Sequence, residues 1–216
     1  MTTPRKKNKK WDSEATKRLA MEAISKIMKE NGFSDLEVME ITRRMGKSKG
    51  MIGYHYDNVN ELLKLYIKDK DYWPILFERF NFADHPGEEA IRTLFTELMQ
   101  DNLRLFQNTP EMQKIILWQV TQERPLLRSV SDEREAAGAK LLDMATPYFA
   151  NTGINFKAII ALLLGGSYYI VLHSQTNKST VCGIDLNWEH DKEEILKAIG
   201  QIINWAWENA QEKRAS

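Results

Sequence analysis

The chain has 216 residues, of which 43% are hydrophobic and 28% charged, a composition typical of folded globular proteins rather than disordered ones. Its single cysteine, Cys182, excludes an internal disulfide framework and fits a reducing compartment. The most apolar run, residues 158–172, is shorter than the roughly 20 residues that a membrane-spanning helix needs, and residues 1–10 lack the apolar core of a secretory signal. We therefore expect a cytoplasmic protein without a membrane partner.

The formal net charge is zero, but the charges are divided unevenly along the chain. Residues 1–56 carry 13 Lys/Arg and 7 Asp/Glu, whereas residues 57–216 carry 17 Lys/Arg and 23 Asp/Glu. A basic first segment suits a nucleic-acid binder, because phosphate neutralisation depends on local rather than total charge. Five of the 13 basic residues lie in residues 1–10, so a solvated basic tail on an ordinary domain is an alternative interpretation.

Two helices are predicted in this basic segment. Apolar residues at helical spacing predict the first at residues 13–30, which Gly32 can end in the left-handed conformation. Ser34 and Glu37 are three positions apart, as in a capping box, and predict a second helix at residues 35–45. The residues before the first helix are expected to form a polar, mobile arm.

A short third helix is predicted at residues 47–56, after Gly46 has ended the second helix. Ser48 can cap this helix, and Ile52 and Tyr56 are spaced i, i+4 so that both can face inward. The side chains left to point elsewhere are Ser48, Lys49, Met51, Tyr54 and His55. A short helix between two turns that presents hydroxyl, basic and aromatic groups suits the reading helix of a helix-turn-helix.

Taken with the thirty residues before it, this stretch resembles the DNA-binding domain of TetR-family transcriptional repressors. The residues that match the family pattern outright are Gly46, Ser48, Lys49, Gly50, Tyr54, His55, Glu61, Leu62 and Leu63. Ile52 and Tyr56 are conservative replacements. Gly53 and Val59 depart from the pattern, which has a tyrosine and a lysine at these positions.

The resemblance implies an all-α protein of two domains that acts as a ligand-responsive regulator. Residues 1–57 would form a basic arm and a three-helix DNA-binding domain, and residues 58–216 a helical effector-binding and dimerisation domain. A dimer would bind a pseudo-palindromic operator as a repressor and would be released by an unknown small-molecule effector. The departures at Gly53 and Val59 keep an alternative open, which is a helical dimer that binds a protein or a small molecule without reading DNA.

The candidate DNA-binding residues are Lys47, Ser48, Lys49, Met51, Tyr54 and His55. In this hypothesis Lys49 and Ser48 lie near base edges or phosphates. Tyr54 and His55 would donate hydrogen bonds to phosphates, and Met51 could contact a thymine methyl group. Arg43 and Arg44 are second-rank candidates, because basic residues near a helix C-terminus also suit the helix dipole.

The rest of the chain keeps a helical period, and no strand-period segment longer than a few residues occurs. Residues 60–80 predict one helix that Pro74 should kink or break near Trp73. Further helices are predicted at residues 87–107, 110–122, 126–149, 154–176 and 189–211. The predicted fold class is all-α.

The last two predicted helices are unusually apolar. Residues 158–166 are apolar nearly all round, and the final helix has one broad apolar face. Two such helices from each subunit could pack as a four-helix dimer interface, as the family resemblance implies. A monomeric bundle that uses the same residues as internal core is the alternative.

No constellation for catalysis or metal binding is visible in the sequence. The four histidines have no metal-ligand spacing with one another or with Cys182, and no glycine-rich phosphate-binding loop occurs. We therefore expect a non-enzyme without a cofactor or a metal. The resemblance implies an effector cavity between the middle helices, whose lining residues cannot be chosen from the sequence.

Overall fold

The computed structural model describes residues 6–79 and 86–216, with side chains described from Ser13 onwards. Its α-helices within these residues are α1 (Lys6–Asn31), α2 (Val38–Met45), α3 (Gly50–His55), α4 (Val59–Lys70), α5 (Trp73–Arg79), α6 (Glu88–Asn108), α7 (Pro110–Thr121), α8 (Pro125–Phe149), α9 (Phe156–Leu172) and α10 (Glu189–Ala215). The described residues contain no strand and a single isolated bridge between Val181 and Ile184. The predicted all-α class is confirmed.

The N-terminal helix α1 begins at Lys6, earlier than the predicted start at residue 13, so part of the predicted mobile arm is helical. Helix α2 begins later than predicted, and the capping box is wrong. Glu37 stands at the N-cap, and no side-chain capping bond is formed there within the described residues. The turn that begins at Gly32 occupies residues 32–35, and helical geometry begins only beyond the buried Leu36.

The predicted helix at residues 60–80 is two helices, as the proline indicated. Helix α4 ends at Lys70, and the extended backbone of Asp71 leads into α5. Pro74 lies in the first turn of α5, where a missing N–H costs no helical hydrogen bond. The predicted end of this helix at residue 80 lies outside the described residues.

The chain divides into two compact units. The first unit combines the residues up to Asp71 with Lys114–Ser131, and the second combines Tyr72–Gln113 with Asp132–Ser216. These boundaries are defined by which residues pack together. The predicted boundary at residue 57 instead separates a DNA-binding part from an effector-binding part, and it stays a prediction.

The core of the first unit lies where α1 packs against α2 and α4. Its largest fully buried aliphatic side chains are Ile24, Ile27, Met28, Ile41, Leu62, Leu63 and Ile67. Burial of such side chains is worth about 1.5–3 kcal/mol each relative to exposure, so this core holds the short helices that attach to it.

The second unit is built around α6, which packs against α9 and α10. An aromatic cluster fills one end of it, with the Phe149 and Phe156 rings stacked 4.4 Å apart and both rings in contact with the buried Trp207. Helix α9 ends in a short π-helical turn, His173–Asn177, whose Ser174 is buried.

The helical stretch Phe156–Asn177 is 22 residues long and passes the length and composition test for a membrane span. Core helices of soluble proteins pass the same test, so this is weak evidence for a span. Only 22% of its most apolar window is buried, although α9 packs against α6 and α10. A single copy of the chain therefore leaves much apolar surface of α9 uncovered.

Candidate functional site

Gly46 fixes the end of α2 and the direction of the turn that follows. Its backbone is left-handed (φ 63°, ψ 34°), and its N–H donates to the Arg43 carbonyl at 3.1 Å. The next N–H, of Lys47, reaches back to the Thr42 carbonyl at 3.0 Å. Both bonds satisfy carbonyl groups that the end of a helix would otherwise leave unpaired, as glycine at this position favours.

Helix α3 is shorter than predicted, and the expected side-chain cap by Ser48 is wrong. The Ser48 backbone carbonyl accepts a hydrogen bond from the Met51 N–H at 3.0 Å, but no side-chain cap is formed within the described residues. Because Lys49 already has helical dihedral angles (φ −53°, ψ −35°), the extended geometry of an ordinary N-cap is missing. The helix itself is Gly50–His55.

Two side chains attach α3 to the core of the first unit. Ile52 is 2% exposed and Tyr56 is 5% exposed, which confirms the predicted inward face. The Tyr56 N–H closes the helix by donating to the Ile52 carbonyl at 2.7 Å. Burial, with a smaller effect from Glu14, raises the pKa of the Tyr56 hydroxyl. The outer side chains of α3 are therefore held by a helix that cannot rotate without exposing Ile52.

The side chain of Asn58 fixes the start of the next helix. Its Oδ1 accepts hydrogen bonds from the N–H groups of Asn60 (2.9 Å) and Glu61 (3.1 Å), and its backbone is extended, as an N-cap requires. Asn58 is therefore the N-cap of α4. With Gly46 on one side and Asn58 on the other, α3 is a short helix between two defined turns.

The six predicted DNA-binding residues lie outside the core, in the turn before α3 and on α3 itself. The side chains of Lys47, Ser48 and Lys49 are exposed in the turn. Neither lysine forms an ion pair with a carboxylate among the side chains that the structure describes.

On α3, Tyr54 is 64% exposed, and Met51 and His55 are half-buried. The rings of Tyr54 and His55 meet edge to face with their centroids 4.9 Å apart. Such a pair limits the rotamers of both side chains, so less entropy would be lost when they bind a partner.

Gly50 and Gly53 leave an unobstructed strip on α3. A Cβ placed on either residue would have no described atom within 4 Å outside its own helix and neighbours. Neither has a positive φ. Gly53, the position that departs from the family pattern, is therefore not required by packing or by backbone geometry.

Arg43 and Arg44 are engaged by carboxylates. Arg43 donates to Glu40 through two nitrogens, at 2.7 and 2.6 Å, and Arg44 donates to Glu40 at 2.7 Å and also to Glu30 of α1. Hydrogen bonds from Arg43 and then Arg44 lower the pKa of Glu40 to about 2. Arg44, with 17% of its side chain exposed, links α2 to α1, whereas Arg43 is 68% exposed.

A segment distant in sequence supports the first unit. Lys114 of α7 donates from Nζ to the backbone carbonyls of Met28 and Lys29 (2.8 Å to the latter), which closes the last turn of α1. Trp118 stacks on Phe33 with the ring centroids 5.8 Å apart and nearly parallel. These contacts could not be predicted from the sequence, because no local pattern marks residues more than 80 positions apart.

A cavity of about 290 Å³ lies between α5, α6, α8 and α9 of the second unit. Its lining residues are Trp73, Phe77, Phe95, Leu98, Met99, Arg134, Glu135, Gly138, Leu141, Leu142, Lys157, Ile160, Ala161 and Leu164. The family resemblance predicted a cavity between the middle helices without naming its residues. No group of three or more His, Cys, Asp and Glu side chains that could hold a metal occurs among the described residues.

Helices α9 and α10 expose large apolar side chains. Leu162 is 77% exposed and Tyr169 is 58% exposed on α9, while Trp205 is 58% exposed on α10. A shallow depression that includes Ile159, Ile202 and Trp205 joins the two helices. Large exposed apolar side chains of this kind are a feature of interaction surfaces.

Comparison with solved structures identifies the fold. The chain is similar to the transcriptional regulator FadR from Bacillus subtilis, solved in complex with stearoyl-CoA, with a TM-score of 0.58 and 16% identity over 86% of this chain and 96% of that one. It is also similar to FadR, a fatty acid degradation regulator from Bacillus halodurans, with a TM-score of 0.56, 13% identity and coverage of 88% and 96%. A TetR-family transcription regulator from Marinobacter aquaeolei VT8 gives a TM-score of 0.55 at 16% identity, with 93% and 97% covered.

The chain has the fold of the TetR-family transcription regulators. The sequence itself matches no protein-family model and no curated protein. The TetR fold therefore rests on structural similarity, and residues 46–63 are the part of the chain where the sequence pattern of the family is also present.

Proposed function

We propose that this protein is a ligand-responsive, DNA-binding transcriptional regulator that acts as a homodimer. The observation that carries the proposal is the α2–turn–α3 segment, in which a short helix is fixed on the core by Ile52 and bounded by Gly46 and Asn58. Its basic, hydroxyl and aromatic side chains remain outside that core. The TetR fold of the chain supports the same function.

In this proposal α3 and the turn before it enter the major groove. Lys47, Lys49 and Ser48 contact phosphates or base edges, and their exposure in the turn supports this role. Tyr54 and His55 donate to phosphates and position the helix. Met51, which is half-buried, contacts a thymine methyl group from the edge of the helix.

Dimerisation through α9 and α10 places two copies of α3 on one operator. Leu162, Tyr169 and Trp205 are exposed apolar side chains that a second copy would cover, and a four-helix interface is a common way to bury such surfaces. The two reading helices then occupy successive major grooves, about 34–36 Å apart. Operators are expected to be inverted repeats.

The cavity of the second unit is proposed as the effector site. We take the dimer to have one arrangement that fits the operator and one that does not. An effector that binds the second arrangement more tightly shifts the equilibrium toward it by that difference in affinity, so the operator is released. We propose a repressor of this kind in the cytoplasm and no enzymatic activity; the similar structures are transcription regulators.

Selection of bound duplexes from a random DNA library, with purified full chain at near-physiological salt, tests the DNA-binding function. An enriched inverted repeat is the expected result. A folded dimer that enriches no sequence would contradict the proposal and favour the alternative, a TetR-fold interaction protein in which Gly53 and Val59 mark the loss of the operator.

The dimer surface is tested separately by sedimentation velocity of the Leu162→Glu variant. A buried charge at an apolar interface is costly, so this variant is expected to sediment as a monomer. Leu65→Glu is the matched control, because Leu65 is also exposed (46%) but lies on α4. If both variants remain dimeric, the α9–α10 interface is wrong.

A further inference from the structure

We propose that the cavity of the second unit binds a compact, largely apolar molecule of about twelve non-hydrogen atoms, with its polar group at the mouth. The role of this molecule as an effector rests on the proposed function above. Its binding can be measured without DNA, so the two claims can fail separately.

The volume of the cavity sets the size. An apolar cavity of about 150 Å³ holds one benzene molecule, which has six non-hydrogen atoms. The present cavity, at about 290 Å³, has roughly twice that volume. A two-ring aromatic molecule or a medium-length aliphatic chain therefore fits, whereas a long acyl chain such as stearoyl does not fit in full.

The inner lining determines the chemistry. Trp73, Phe95 and Met99 are buried, and the Trp73 and Phe77 rings lie 5.2 Å apart on one wall. The Trp73 Nε1–H donates to the hydroxyl of Tyr168 at 3.0 Å, so its polar atom is already used. A polar ligand group placed against this wall would lose its hydrogen bonds to water without replacement, so this wall favours an apolar part of the ligand.

The mouth is polar, but its charges balance. The charged lining residues Arg134, Glu135 and Lys157 are exposed or half-buried. Lys157 pairs with Asp143 at 3.1 Å, so the two lining cations, Arg134 and Lys157, are offset by Glu135 and by this carboxylate. This arrangement accepts one small polar group, such as a hydroxyl or a carboxylate that replaces Asp143 as the partner of Lys157, but offers no large cationic site.

Gly138 of α8 sets the width of the cavity. A Cβ at this position would lie 3.7 Å from Cζ of Phe77, which is ordinary van der Waals contact. A methyl group therefore just fits, and any longer side chain must occupy the space that a ligand would take. Gly138 is the residue of this lining whose substitution most directly changes the permitted size.

Isothermal titration calorimetry of the full chain with 1-naphthol, decanoate and stearate tests the proposal. The expected result is that 1-naphthol or decanoate binds the wild type and stearate binds more weakly. The Gly138→Leu variant is expected to weaken binding by more than about 10-fold, because it adds more than one methylene to an apolar pocket. Ala139→Leu is the control, since Ala139 is the exposed neighbour on the same helix.

Leu164→Ala provides a second test that does not depend on whether Gly138→Leu folds. Leu164 lines the cavity, and its truncation enlarges the space. The chain length of the tightest-binding fatty acid is expected to increase by about three carbons, the number that the truncation removes.

Two results would overturn the proposal. The first is that stearate binds the wild type more tightly than 1-naphthol and decanoate do, and that Gly138→Leu weakens this stearate binding. The second is that neither 1-naphthol nor decanoate binds at all. A ligand that binds as expected but leaves operator affinity unchanged would support the ligand class and contradict its role as the effector.

Discussion

The two candidate sites are built in opposite ways. The turn and α3 present the candidate DNA-binding side chains outside the core, on a helix that Ile52 and Tyr56 attach to the core. The cavity of the second unit is lined by side chains, such as Phe95, that are themselves the core. Function and stability should therefore be separable by mutation at the first site and inseparable at the second.

The largest effect is expected from Phe95→Ala. Phe95 is 1% exposed and meets the Phe156 ring edge to face, so its truncation should lower the free energy of unfolding by about 3–5 kcal/mol as well as abolish ligand binding. Urea denaturation measures the loss, with Glu97→Ala on the exposed side of α6 as the control. A loss below 1 kcal/mol would mean that this cavity wall is not part of the core.

Lys114→Met tests whether the distant segment supports the first unit. The substitution keeps the apolar stem but removes the donor that closes the last turn of α1, and a cation at a helix C-terminus contributes about 0.3–1 kcal/mol. Chemical denaturation should show that the free energy of unfolding falls by an amount of that size. Lys140→Met, at an exposed position of α8, should leave the free energy of unfolding unchanged.

Gly53→Ala should stabilise the protein slightly. The added methyl group meets no described atom, and glycine inside a helix is less stable than alanine by about 0.5–1 kcal/mol. Thermal denaturation would detect the gain. If stability rises while operator affinity falls, DNA approaches the α3 backbone at this position; a loss of stability would show that the strip is not open.

The smallest effect is expected on the stability of the protein at acid pH, to which the carboxylate of Glu40 contributes. Its pKa is about 2 in the folded protein, below the ordinary value of 4.5, because Arg43 and Arg44 donate to the carboxylate. A lowered folded pKa stabilises the protein above pH 4.5, and this stabilisation is lost as the pH falls from 4.5 toward 2. Urea unfolding across that range should show a smaller loss of the free energy of unfolding in Glu40→Gln than in the wild type.

The geometry of the turn and of α3 could be predicted because its signals are local. Gly46 requires a left-handed backbone, Asn58 caps the helix that begins one residue later, and Ile52 and Tyr56 share one face. The capping expectations for Ser34 and Ser48 were wrong for a local reason as well. Glu37 holds the N-cap of α2 in the first case, and Lys49 is already helical in the second.

The second site could not be predicted at the level of residues. Its lining extends from Trp73 to Leu164, and a helical stripe that lines a cavity looks the same in sequence as one that fills a core. The support of α1 by Lys114 has the same origin, because a contact across 85 residues leaves no periodic signal. Only the packing of the helices distinguishes these cases.

The most direct test of the central claim is the operator affinity of a Lys49→Ala/His55→Ala variant, measured by fluorescence anisotropy at several salt concentrations. Both side chains lie outside the core, so the variant is expected to keep its fold and its dimer. Operator binding should be lost or strongly weakened. The salt dependence of the operator affinity should become shallower by about one phosphate contact, because one lysine is removed. Unchanged affinity in a folded dimer would contradict the assignment of α3 as the helix that reads DNA.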